Sequence, residues 1–303
     1  MFQGLNILQA TQACLAGQKI DGIAVANSVK ERVRVAADVL RSEGITPCLA
    51  TVLVGENPAS TTYVNNKQKA CNEVGIETKD HRLPESFSQQ EMNSLIDLLN
   101  KDNTVHGILV QLPLPRQLDE FSTTSRISPI KDVDGLTPYN IGLLASGRAI
   151  LKPCTPSGIM ELFDYYKIDI LGKNVVIINR SHLVGKPLYN LMLEKNATVT
   201  TCHSKTKNLK EHCLNADIVI TAIGDRAKFI LTADMVKDGA IVIDVGTSRQ
   251  DGKLVGDVDY ENIIKKASFV TPVPGGVGPM TIAMLLKNTV TAASISKGFV
   301  SGR

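Results

Sequence analysis

The chain has 303 residues, 43% of them hydrophobic and 21% charged, the make-up of a globular protein with room for two domains of ordinary size. Its 33 lysines and arginines against 30 aspartates and glutamates leave a net charge of +3, a balance that points to no nucleic-acid or membrane partner.

In chain order, Leu49–Gly55 reads as a buried strand and Ala59–Val74 as a helix that Gly75 stops. Ile76–Leu83 is a second strand, and Ser88–Asn100 a helix with Met92, Leu95, Ile96 and Leu99 on one face. Gly107–Leu112 is a third strand, ended by Pro113 and Pro115. Strand and helix alternate, which predicts a parallel sheet with right-handed crossovers. Pro113–Pro153, rich in Pro, Gly and Asp, reads as a domain edge or active-site loops rather than regular core. Thr155-Pro156 reads as an N-cap followed by a first-turn proline, opening a helix to about Lys167.

A second alternating series follows. Asn174–Ile178, Ala197–Thr201, Asp217–Ala222 and Ala240–Val245 read as strands, with helices at Gly185–Lys195 and near Lys207–Leu214, and Ser268–Val270 closes the sheet. A last helix, from about Pro279 to Ser296, is long enough to return to the first domain. The expectation is an α/β protein of two domains with a cleft between them. One is an N-terminal three-layer α/β domain with a parallel sheet, residues 1–150 plus 280–303. The other is a Rossmann-like dinucleotide domain, residues 151–279. No apolar run reaches membrane-spanning length, and Met1–Ile20 lacks the basic segment of a signal peptide. Cys14, Cys48, Cys71, Cys154, Cys202 and Cys213 are scattered, as expected of reduced and mostly buried thiols in a cytoplasmic protein. The five histidines form no ligand pair at helical spacing, so no metal site is expected.

Three stretches carry chemistry. In Thr271-Pro-Val-Pro-Gly-Gly-Val-Gly-Pro-Met-Thr281, prolines fix φ and glycines allow close backbone approach, so the segment is either a side-chain-poor wall for a flat ligand or an elaborate turn. The strand Val175–Ile178 runs into a turn, Asn179-Arg180-Ser181, and then a helix, a place where free amides and the helix dipole suit an anion. The G-x-G-x-x-G fingerprint is absent, and Asn179 stands at its first glycine. The next strand ends without an acid for the ribose hydroxyls, in Thr200-Thr-Cys-His-Ser-Lys-Thr206. Arg180, Ser204 and Lys205 there suit a ribose 2′-phosphate, which predicts NADP, or are solvated surface groups. In the first domain Tyr63 and Lys67 share a helix face. Gln111 lies at a strand's carboxyl end, and Asp132 and Asp134 flank Val133. Each alone has an ordinary explanation in amphipathic packing or a turn.

Together, Pro58–Ala70, Val110–Pro115, Lys131–Gly135, Lys152–Pro156, Arg180–Pro187 and Thr271–Thr281 occur in an order that resembles the bifunctional methylenetetrahydrofolate dehydrogenase/methenyltetrahydrofolate cyclohydrolase family, over roughly Leu15 to Ala293. The resemblance implies hydride transfer from a methylene folate to NADP⁺ and hydrolysis of the methenyl product to the 10-formyl compound in one cleft, by a homodimer. It makes Tyr63 a stacking platform, Lys67 the catalytic group, Gln111 its positioner and Asp134 a pterin contact. It also places Val110, Leu112, Pro274, Gly275, Gly276, Val277 and Gly278 around the folate, and Asn179, Arg180, Ser181, Ser204 and Thr247 around the cofactor. The chemistry agrees: hydride transfer needs two rings held face to face, whereas hydrolysis needs a group such as the Lys67 amine to act as base or to hydrogen-bond the water.

Two positions depart from the family pattern. Asn179 replaces a common Gly and is expected to crowd or hydrogen-bond the cofactor. Thr247-Ser248 replaces a commoner Ile-Asn. The alternatives are a dehydrogenase without strong cyclohydrolase activity, an NADP enzyme of the shikimate dehydrogenase type, and a non-catalytic folate- or nucleotide-binding regulator.

Overall fold

The computed structural model describes residues 17–298; Cys14 and the Met1 start lie outside them. The chain runs β1 (Gln18–Lys19), α1 (Gly22–Ser42), β2 (Cys48–Val54), α2 (Pro58–Glu73), β3 (Glu77–Leu83), α3 (Gln89–Lys101), β4 (Gly107–Val110), α4 (Glu120–Ser125), α5 (Pro138–Ala145) and α6 (Cys154–Tyr165). It continues through β5 (Asn174–Ile178), α7 (Gly185–Glu194), β6 (Thr198–Cys202), α8 (Leu209–Leu214), β7 (Ile218–Thr221), β8 (Ile241–Asp244), β9 (Ser248–Gln250), β10 (Lys253–Val255), α9 (Tyr260–Ile263), β11 (Phe269–Val270) and α10 (Val277–Ser296).

Local chemistry explains the boundaries. α3 starts on Ser88, which exchanges hydrogen bonds with Glu91 in a capping box. The carboxylate of Asp21 caps α1 by accepting from Ile23 N (3.0 Å) and Ala24 N (3.1 Å). α1 is absent from the elements read from the sequence, yet Val25, Val29, Val33, Ala37 and Leu40 form its buried stripe. The 113–153 stretch is also more regular than expected. It carries α4 and α5, N-capped by Asp119 and Thr137. Thr155 does not cap α6: that helix begins at Cys154 with no side-chain cap, and the Thr155 hydroxyl instead shares a 2.8 Å hydrogen bond with that of Thr281 on α10.

The first sheet has order β3-β2-β4, all parallel. Leu49 and Leu109 face the cluster formed with α1, α2 and α10, while Ala50, Val52, Val54, Ile108 and Val110 face α3, which makes three layers. The second sheet is parallel, with order β1-β11-β8-β7-β5-β6. β11 therefore does not close it; the edge is β1, where Gln18 pairs with Phe269. The register was invisible from sequence because β1 is two residues long and far from its partner. α10 packs against both α1 and α6. One apolar cluster runs from Val25 and Val29 through Met280 and Met284 to Val175 and Ile177, joining the two layered units through their helices. The five described cysteines are buried and unpaired.

Candidate active site

The Pro/Gly segment is a built wall. Leaving β11, it crosses the start of α1, where Gly22 N donates to Gly275 O (2.9 Å). A Cβ on Gly22 would lie 1.7 Å from Gly276 O, so a side chain there would force the wall away. The wall bounds a cavity of about 510 Å³ that Pro274, Gly275, Gly276, Val277 and Gly278 share with Tyr63 and Thr247. Tyr63 is half exposed. An aromatic ring and a backbone wall facing one space suit a flat ligand. Ile23, Asn27 and Lys30 of α1 also line it, and sequence reasoning missed them together with their helix.

One turn along α2 from Tyr63, Lys67 Nζ donates to Gln111 Oε1 (3.1 Å). Gln111 Nε2 donates to Leu112 O (2.7 Å), which fixes the amide so that its oxygen meets the amine. The side chain of Val110 points to the α3 side of the sheet, into the apolar cluster. Asp132 and Asp134 divide their work. Buried Asp132 accepts from Leu136 N (3.2 Å), Thr137 N (2.8 Å) and Asn140 Nδ2 (2.8 Å), so it is the scaffold of the loop. Between them, Val133 O accepts from Asn288 Nδ2 (2.8 Å) and the Cys154 thiol (3.3 Å). Asp134 lies against the Cys154 thiol instead. Burial pushes its carboxyl above the usual range, and the nearby charge of Lys67 opposes this. The Cys154 thiol is driven well above its ordinary value, first by burial and then by Asp134. Lys67, Gln111 and Asp134 are thus one cluster, but they do not line the cavity that Tyr63 faces; α2 connects the two.

On the cofactor side, Ile178 pairs with Cys202 across β5 and β6. Arg180 and Ser204 each follow by two residues, so they emerge side by side from adjacent strand ends. Both are exposed, and among the described residues Arg180 pairs with no acid. The Asn179 side chain closes its own turn. Its Nδ2 donates to Ala222 O (2.5 Å), and its Oδ1 accepts from Ser181 N (2.7 Å) and Gly185 N (3.1 Å). The Ser181 hydroxyl accepts from Val184 N (3.1 Å). The expected open amides of this turn are therefore largely taken by the turn itself, because an asparagine can satisfy them where a glycine cannot. Thr247 is exposed beside the cavity.

Sequence reasoning also missed Asp244 and Asp257, both buried. The visible signal was Asp244, an acid ending the apolar run Ile241-Val-Ile243.

Comparison with known proteins agrees along the chain. A family model described as tetrahydrofolate dehydrogenase/cyclohydrolase, catalytic domain, matches residues 20–134. Its counterpart, the NAD(P)-binding domain, matches residues 153–297. The "Bifunctional protein FolD" of Nitrosopumilus maritimus is 69% identical over 93% of this chain and 98% of its own. That of Cenarchaeum symbiosum is 61% identical over 92% and 99%. Among solved structures, FolD methylenetetrahydrofolate dehydrogenase/cyclohydrolase from Campylobacter jejuni superposes with a TM-score of 0.90 at 48% identity, covering 94% of this chain and all of that one. The Trypanosoma brucei FolD, solved with NADP and an inhibitor, superposes at 0.87 with 37% identity over 93% and 98%.

Proposed function

The chain belongs to the tetrahydrofolate dehydrogenase/cyclohydrolase family, and from that membership and the geometry of its cleft we propose that it is a bifunctional enzyme. It oxidises 5,10-methylenetetrahydrofolate to the 5,10-methenyl compound with NADP⁺ and hydrolyses that product to 10-formyltetrahydrofolate. The observation that carries the reading is the Lys67–Gln111 hydrogen bond (3.1 Å) set against Asp134, on the helix that also presents Tyr63 to the walled cavity.

Bound NADP⁺ supplies the hydride acceptor. Its fit to this chain rests on the unpaired Arg180 guanidinium, the adjacent Ser204 hydroxyl and the lack of an acid at the end of β6. Arg180 and Ser204 hold the ribose 2′-phosphate, and Ser181 and Thr247 flank the cofactor. Asn179 acts as scaffold beneath it. Tyr63 stacks on the folate and the wall backs it. Such placement is worth about 7–11 kcal/mol of a barrier. Asp134 accepts hydrogen bonds from the amino group and ring N–H of the pterin. In hydrolysis Lys67, oriented by Gln111, activates or hydrogen-bonds the water that adds to the methenyl carbon.

The folate-binding unit is residues 1–150 completed by the terminal helix, which packs on α1 as well as on α6; β1, within that range, pairs into the edge of the second sheet. A homodimer and a cytoplasmic setting follow from the family resemblance; among the described residues no helix is long and apolar enough to cross a membrane. The test is a spectrophotometric assay of methylenetetrahydrofolate with NADP⁺, then with NAD⁺, following methenyl formation and decay. Failure to form methenyl folate refutes the reading. Formation without accelerated decay leaves the dehydrogenase alone.

A further inference from the structure

We propose that Asp257 is a positioning residue for hydride transfer, one that sets the cofactor-facing loops of the cavity and takes no part in the hydrolytic half-reaction. This rests on the function proposed above.

Asp257 is fully buried just after the β9–β10 hairpin. Its Oδ2 accepts from the Thr221 hydroxyl (2.9 Å) and Ile223 N (2.6 Å), and its Oδ1 from Gly224 N (3.0 Å), so one carboxylate clamps the loop leaving β7. Its own N–H donates to Asp244 Oδ1 (3.0 Å). Asp244 also accepts from Gly246 N (3.0 Å) and Val258 N (3.0 Å), and its N–H donates to the Thr271 hydroxyl (2.6 Å) at the root of the wall. From the β7 loop, Arg226 Nη1 adds bonds to Gly256 O (2.7 Å) and Val258 O (3.0 Å). Thr221, Asp257, Asp244 and Thr271 thus form a buried polar chain joining the β7 loop, the β8 loop, the hairpin exit and the wall.

Two neighbouring buried carboxylates are costly unless fully hydrogen-bonded. Burial pushes the Asp244 carboxyl up to about 7 against three backbone donors, with Asp257 adding to the rise. The surrounding backbone is cut to admit the pair. A Cβ on Gly246 would fall 2.1 Å from the Asp257 carboxyl carbon, and one on Gly256 would fall 1.9 Å from Asp244 Oδ2. What the network holds is the cavity lining: Asp244, Val245 and Thr247 face the same space as Tyr63 and Pro274. The hydrolytic cluster hangs on a different set of bonds, from Asp132 and Asn288. None of the hydrogen bonds of Asp257 reaches it.

The test is Asp257→Asn, which keeps the shape but puts an NH₂ where a carboxylate oxygen accepted backbone donors. We expect NADP⁺ affinity, measured by calorimetric titration without folate, to weaken about tenfold, as for loss of roughly 1.4 kcal/mol. Hydride transfer should fall at saturating NADP⁺ as well. Turnover in cofactor-free hydrolysis, measured at saturating methenyl folate, should stay within about twofold of wild type, well below the tenfold that 1.4 kcal/mol represents. Thr221→Val removes only one donor to Asp257, so it serves if the first variant does not fold, and a smaller shift in the same direction is expected. Unchanged NADP⁺ affinity in a folded variant, or equal losses in both activities, overturns the proposal. Wild-type protein that binds NADP⁺ but never oxidises the folate would sink the functional reading instead, and the binding titration of the variants would still decide the role of Asp257.

Discussion

Arg180→Ala tests the cofactor assignment most directly. The parallel register of Ile178 with Cys202 brings Arg180 and Ser204 to neighbouring strand ends, about 4.8 Å apart in the hydrogen-bonding direction. A 2′-phosphate between them would take charge-assisted bonds from the guanidinium, a class of bond worth about 1.5–3 kcal/mol. Arg180 is exposed, so solvent screening moves the figure to the low end, roughly 1.5 kcal/mol, or about a tenfold change in affinity. NAD⁺ lacks the phosphate and should lose little. Titration of both nucleotides into wild type and variant reads the difference, and raising the salt should shrink the wild-type preference for NADP⁺. Equal losses for NADP⁺ and NAD⁺ would show that Arg180 does not read the 2′-phosphate.

Lys67→Met should lower cyclohydrolase activity by roughly 10²–10⁴-fold, the span of a lost proton-transfer group, and dehydrogenase activity less; a variant with full hydrolysis contradicts its role. Asn179→Gly removes three hydrogen bonds from the β5–α7 turn. It should cost about 1–3 kcal/mol in denaturant unfolding while freeing two amides, so that NADP⁺ binds more tightly. Looser binding would mean that the turn's shape matters more than its donors. Finally, the Asp244 carboxyl sits at about 7 in the folded protein, above its unfolded value of about 3.9. The native state therefore holds the proton more strongly, and the stability this gives is lost as pH rises through 7. Between pH 6 and 8 the loss from this group is about 1.4 kcal/mol. Asp244→Asn should remove that part of the slope in unfolding measured at the two pH values, and identical slopes would refute it.

Elements with strong periodic patterns and clear stops were legible in the sequence. α2 ends one residue from the expected place because Gly75, at φ +77°, stops it. α3 follows its apolar face and its capping box. What failed were contacts between distant segments. β1 is a two-residue strand whose place is set by Phe269 and Val270 rather than by its own composition. Thr155 looked like a cap but was recruited by Thr281, 126 residues away. At the site, residue types alone left Lys67 and Gln111 as ordinary packing positions; the family resemblance paired them, and the two side chains share a 3.1 Å hydrogen bond. Residue types gave no sign of the turn-closing bonds of Asn179, since an amide reads the same whether it faces a ligand or closes its own turn. Nor could they separate Asp132 from Asp134; the three donors around Asp132 mark it as the loop's scaffold.

The two half-reactions make different demands, and the fold supports them separately. Hydride transfer depends on ring placement, where an error of about 1 Å costs about 10²-fold, and the cavity lining at that end is pinned by fully buried Thr221, Asp257 and Thr271. In the proposed hydrolysis one oriented amine acts beside Asp134, whose loop is pinned by Asp132 from within and by Asn288 from α10. The supports meet in one continuous stretch, because Thr271 roots the wall, the wall enters α10, and α10 carries Thr281 against Thr155 and Asn288 against Val133. Any mechanical coupling between the cofactor end and the hydrolytic cluster has this covalent route open to it. That route runs through a wall whose prolines fix φ and whose glycine backbone packs against the start of α1, leaving no room for a side chain on Gly22.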